Sequence, residues 1–134
     1  MISVALPCDI TPPTLDDQVV LILWYKDEQL APIYTLDARR GNIEQARTLT
    51  STVLDGRAYF NLHNRPAFLQ MDPIRVMDAG DYRCRVDFKK ARTVNTVISL
   101  KVIEKLIANS GHTTHTTLAL TFGLQLANSI LHIT

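Results

Sequence analysis

The sequence predicts an all-β fold of two packed antiparallel sheets, and three observations carry that prediction. Short runs of strand composition recur along the chain, turn-forming residues separate them, and apolar and polar residues alternate with a period of two inside the runs. The length of 134 residues and a hydrophobic content of 46% suit one ordinary domain with a single core.

The predicted strands are Ser3 to Ile10, Val19 to Lys26, Ile33 to Asp37, Arg57 to Asn61, Ala67 to Asp72, Asp81 to Phe88 and Thr93 to Ile103. Breakers stand between them: Pro12-Pro13, Ala31-Pro32, Arg40-Gly41, Asp55-Gly56, Arg65-Pro66 and Ala79-Gly80. In the first strand Val4, Leu6, Cys8 and Ile10 share one face, which makes it the core face. Ile22 and Trp24, Leu69 and Met71, the trio Tyr82, Cys84 and Val86, and the trio Ile98, Leu100 and Val102 repeat the pattern. The stretch Asn42 to Leu54 mixes helix formers with Thr48, Thr50, Ser51, Thr52 and Val53. It reads as a loop that can carry a short extra strand.

Trp24 follows Cys8 by 16 residues, Cys84 follows it by 76, and Tyr82 stands two residues before the second cysteine. That spacing is the pattern of a V-type immunoglobulin-like sandwich: a disulfide joins the facing sheets, an indole packs on it, and a tyrosine corner opens strand F. Closing a loop of this length removes roughly 4 to 5 kcal/mol of unfolded-state entropy in the chain-entropy model. Gly80 permits the turn into strand F, and Arg57, opening strand D, is positioned to pair with Asp78 in that turn as a structural salt bridge. Two unpaired buried thiols are the competing reading of the cysteines.

Several segments carry a closer resemblance: Leu6-Pro7-Cys8-Asp9-Ile10-Thr11-Pro12-Pro13, Leu23-Trp24-Tyr25-Lys26-Asp27, Pro32 to Arg39, Gly56 to Phe60, and Asp78 to Thr93. Over Met1 to Glu104 the chain resembles the first immunoglobulin domain of the insect Sidestep family. The resemblance implies a cell-surface ligand in adhesion and motor-axon guidance, recognised by an immunoglobulin-superfamily receptor of the Beaten path type. It also implies binding through the sheet of strands C, C′, F and G. Outward positions on that sheet are Leu23, Tyr25, Asp27, Arg83, Arg85 and Asp87, and an aromatic with interleaved arginines and carboxylates makes a recognition surface.

Other chemistries find little footing. A net charge of +1 argues against nucleic acid as a partner, although Arg83, Arg85, Lys89, Lys90 and Arg92 cluster locally among Asp81 and Asp87. No C-x-x-C pair, phosphate loop or acid/base motif occurs, so no enzyme activity, small-molecule substrate, metal or cofactor is expected. His63 lacks a nucleophile beside it, and His112 with His115 lacks a third ligand. No N-x-Ser/Thr acceptor is present.

The immunoglobulin-like domain is assigned to residues 1–104 and a polar linker with a weakly hydrophobic tail to 105–134. Strand B begins almost at Met1, so strands A and A′, a signal peptide and later domains are expected outside this sequence. Ala108 to Gly111, His112 to Thr117 and Leu118 to Ile133 follow the order of a lipid-anchor signal, interrupted by Gln125, Asn128, Ser129 and His132. Membrane attachment through the tail or through missing sequence, and an artefactual or spliced end, are both carried forward. The expected location is extracellular or at the cell surface. A short soluble or lipid-anchored immune-type binder, or a truncated fragment without activity, are the alternatives to a guidance module.

Overall fold

The computed structural model describes residues 2–54, 56–109, 112–124 and 127–133, with side chains as far as Val102 and none described beyond it. Its strands are β1 (Val4–Cys8), β2 (Val19–Lys26), β3 (Tyr34–Asp37), β4 (Arg47–Thr50), β5 (Ala58–Asn61), β6 (Ala67–Met71), β7 (Gly80–Phe88), β8 (Val94–Asn109), β9 (His112–Leu124) and β10 (Ala127–Ile133). All pairings are antiparallel: one sheet has the order β1-β6-β5, the other β10-β9-β8-β7-β2-β3-β4. Strands β1, β6 and β5 correspond to B, E and D of a V-type sandwich, and β8, β7, β2, β3 and β4 to G, F, C, C′ and C″. The fold class is therefore an immunoglobulin-like sandwich.

Alternation decides which side of each sheet is covered. Val4, Leu6 and Cys8 in β1, with Ala67, Leu69 and Met71 in β6, face Ile22, Trp24, Leu36, Tyr82, Val86, Ile98 and Leu100 from the larger sheet, and all are buried. Cys8 and Cys84 form a disulfide with Cα atoms 6.3 Å apart, so β1 is tied across the core to β7. Trp24 pairs in register with Cys84 on one side and Tyr34 on the other. Its ring meets Phe60 of the opposite sheet edge-on, with centroids 6.1 Å apart at 62°, the geometry that ring quadrupoles favour. The centre of the core is thus one sulfur bridge and one indole, each touching both layers.

Two sequence expectations change at their edges. The segment Asn42 to Leu54 does hold the extra strand, β4, preceded by a 3-10 turn at Ile43–Gln45 whose N-cap Asn42 accepts from the Gln45 backbone N–H. The last predicted strand, Thr93 to Ile103, runs on to Asn109 and pairs with β9 from Ile98 onward. The segment that composition reads as a linker and tail has strand backbone in β9 and β10, where the many threonines and branched aliphatics suit extended chain. Among the described residues no helix is long and apolar enough to cross a membrane.

One end of the sandwich is closed by a buried ionic knot. The Arg57 guanidinium donates to both Asp78 oxygens at 2.8 and 3.0 Å, to the Pro73 carbonyl at 2.9 Å and to the Val53 carbonyl at 2.8 Å. Asp78 accepts further from the Arg75 backbone N–H at 2.7 Å. Its carbonyl takes the hydroxyl of Tyr82, the tyrosine corner. Both charged side chains are nearly out of solvent, at 6% and 1% exposure, so their mutual fork and the extra acceptors have to offset desolvation. Asp78→Ala leaves the guanidinium buried without its partner and is expected to lose about 3 to 5 kcal/mol in urea unfolding. The apolar double replacement Arg57→Met with Asp78→Leu should lose less than that single change; an equal or larger loss would show that the pair itself, not the stranded charge, sets the cost.

Candidate protein-binding face

The outer side of the larger sheet carries the residues that strand alternation turns away from the core. Reading across the strands in register, Leu49 of β4 lies beside Thr35 of β3, Thr35 beside Leu23 of β2, Leu23 beside Arg85 of β7, and Arg85 beside Asn95 of β8. One step along, Tyr25 lies beside Arg83 and Arg83 beside Val97; one step the other way, Leu21 lies between Asp37 and Asp87. Five strands at about 4.8 Å spacing make a face roughly 20 Å wide. That is the scale of a standard recognition patch.

Charged groups on this face are held by their neighbours. The Arg83 guanidinium stacks 4.5 Å over the Tyr25 ring and donates to Asn95 Oδ1 at 3.3 Å. Arg85 makes a two-pronged contact with Asp87 at 3.0 and 3.1 Å, and the Thr93 hydroxyl donates to the same carboxylate at 2.7 Å. Burial pushes the Asp87 carboxyl up, but the hydrogen bonds from Arg85 and Thr93 outweigh it and leave it below its ordinary value. A surface pair of this kind adds only about 0 to 1 kcal/mol to stability. Its effect is geometric: it fixes the arginine fork beside the Leu21 and Leu23 strip. Leu49, 72% exposed, is the most open apolar side chain on the face.

Five of the six residues assigned to a partner surface, Leu23, Tyr25, Arg83, Arg85 and Asp87, lie together on this face. Asp27 is the exception. It sits one residue past β2 with φ of 53°, and its carboxylate accepts from the Asp81 backbone N–H at 2.9 Å while its own N–H donates to the Asp81 carbonyl at 2.7 Å. It seals the end of the β2–β7 ladder, and Gly80, with φ of 147°, is required beside it because a Cβ there would stand 2.6 Å from the carboxylate. Leu49 and Leu21 were not among the assigned residues. The edge strand β4 is exposed at nearly every position, so no alternation marks it in the sequence.

At the end of the sandwich opposite the ionic knot, the β1–β2 loop is pinned to the β7–β8 loop by Asp17. Its carboxylate accepts from the backbone N–H groups of Lys90, Ala91 and Gln18, each at 2.8 Å. Lys89 donates to the Gln18 carbonyl at 2.9 Å, and the Lys90 ammonium reaches Asp16 at 2.8 Å. The basic cluster read from the sequence therefore divides: Arg83 and Arg85 belong to the sheet face, Lys89 and Lys90 to this loop. His63 is exposed in the β5–β6 turn; His112 and His115 lie on β9, outside the described side chains. No group of three or more potential metal ligands occurs among the described residues.

A five-stranded face on a disulfide-pinned V-type sandwich is the geometry these residues build. The sequence matches no protein-family model and no curated protein.

Burial raises the Asp17 carboxyl, but the three backbone N–H groups together hold it below its ordinary value of about 3.9. A depressed carboxyl contributes stability that is fully present above its unfolded value and is lost as pH falls through the folded one. Thermal melts should therefore show the chain losing stability below about pH 4. Asp17→Asn should melt lower at pH 7 and lose less on acidification; identical pH profiles for the two would contradict the pinning role.

Proposed function

We propose that this chain is an extracellular, non-enzymatic recognition module of the cell surface, binding another immunoglobulin-superfamily protein through its β2, β3, β7 and β8 face. The observation that carries the reading is that face itself: Leu21 and Leu23 on β2, with the exposed Leu49 across Thr35 from them, beside an arginine stacked on Tyr25 and an arginine clamped by Asp87. Arginine and tyrosine are enriched where interface energy concentrates, and pre-held side chains lose little entropy on docking. The disulfide supports export, because such bonds persist in oxidising compartments. The resemblance of the sequence to the first Sidestep domain supports adhesion or axon guidance as the setting and a Beaten path-like receptor as the partner.

The test is surface-plasmon binding of the oxidised chain to a panel of immunoglobulin-superfamily ectodomains that includes Beaten path-like receptors. Selective binding is expected, weakened about tenfold or more by Leu23→Asp and by Arg85→Glu. Tyr59→Ser, on the outer side of the smaller sheet, should leave it unchanged. Absence of selective binding by the folded, disulfide-closed chain, or equal loss in the Tyr59 variant, would overturn the assignment.

A further inference from the structure

Where β3 turns into β4, the chain encloses a hollow of about 350 Å³. Its polar wall is made by Asp37, Arg39, Arg40, Gln45 and Arg47, with Gly41 between them. Three guanidiniums here meet one carboxylate. Arg39 engages both oxygens of that carboxylate: its side chain donates at 2.7 and 2.9 Å and its backbone N–H at 3.0 Å. Hydrogen bonds from the Arg39 side chain and backbone hold the Asp37 carboxyl down, to about 2, and the charge of Arg40 adds to the effect.

The consequence falls on the other two arginines. Arg47 stands opposite Asp37 in the β3–β4 register but makes no ion pair with it. Arg47 makes no salt bridge among the described residues, and neither does Arg40. Two guanidiniums without a direct ion-pair contact border one concavity. Gln45 adds a carboxamide, which lies so near Gly41 that a Cβ there would stand 3.1 Å from its oxygen.

We propose that this hollow is a binding site for a sulfate or phosphate ester, with the oxyanion seated between Arg40 and Arg47 and the carrier of the ester in the remaining space. The planar fork of a guanidinium matches a tetrahedral oxyanion through paired charge-assisted hydrogen bonds. Two such forks suit a group with three free oxygens better than a carboxylate with two. The volume falls in the range of small-ligand sites, well above the roughly 30 Å³ share of a single water. This site does not depend on the protein-binding face, and it departs from the expectation that the chain takes no small molecule.

Titration of the full oxidised chain, followed through backbone amide shifts, tests it with four probes: inorganic sulfate, a sulfated disaccharide, a sugar phosphate, and glucuronate as a carboxylate of similar size. Saturable shifts confined to amides between Asp37 and Arg47 are expected for at least one ester, and the tighter of the sulfate and phosphate arms identifies the source. Arg40→Gln with Arg47→Gln should weaken that binding about tenfold or more, while Lys101→Gln, an exposed cation on β8, should not. Both arginines are exposed, so the double variant should keep the parent's melting temperature. No saturable shift at these amides, equal binding by the double variant, or glucuronate binding as tightly as the esters would overturn the proposal.

Discussion

The Cys8–Cys84 bridge is the constraint on which the other features hang, because it is the covalent cross-link through the middle of the core, between sheets that elsewhere meet through side-chain packing and the hydrogen-bonded ties at their ends. It joins β1 of the three-stranded sheet to β7, and Cys84 is itself the register partner of Trp24 in β2. Three strands therefore converge at one depth in the core. Trp24 fills the space beside the sulfurs, with its indole N–H finding no acceptor among the described residues, so packing and the edge-on contact with Phe60 hold the ring. A one-residue slip of β2 would turn that indole outward, and one of β7 would turn the Cys84 sulfur outward.

Fixing the inner side fixes the outer one. Once Ile22, Trp24, Cys84 and Val86 are committed to the core, Leu21, Leu23, Tyr25, Arg83, Arg85 and Asp87 have to face away from it. The two ends of the sandwich are then tied by different devices. At one, Arg57, Asp78 and Tyr82 close the loops with a buried network; at the other, Asp17 gathers three backbone N–H groups from two loops. The face and the β3–β4 hollow sit on a frame held at its centre and at both ends.

What could be read from the sequence were the features with a fixed spacing. The cysteines, Trp24 and Tyr82 carry a signature that few other folds share, and Arg57 with Asp78 follows from the same frame. Period-two alternation placed five outward residues because β2 and β7 are central strands with one covered side. Asp27 lies one residue past β2, in a turn that alternation does not describe, where its carboxylate accepts from the Asp81 backbone N–H. Asp17 was invisible as an anchor: a lone aspartate in a loop gives no sign of which backbone groups will surround it 73 residues away in sequence. Edge strand β4 lacks alternation, so nothing in the sequence marks Leu49 as an outward position.

Amide hydrogen exchange of the oxidised and the reduced chain tests most directly whether the bridge at Cys8 and Cys84 is the centre of cooperativity. Oxidised, the slowest amides should lie in β1, β2 and β7 flanking Cys8, Trp24 and Cys84, and on reduction their protection should fall together. Slowest exchange in β9 and β10, or protection in β2 and β7 that survives reduction unchanged, would contradict it.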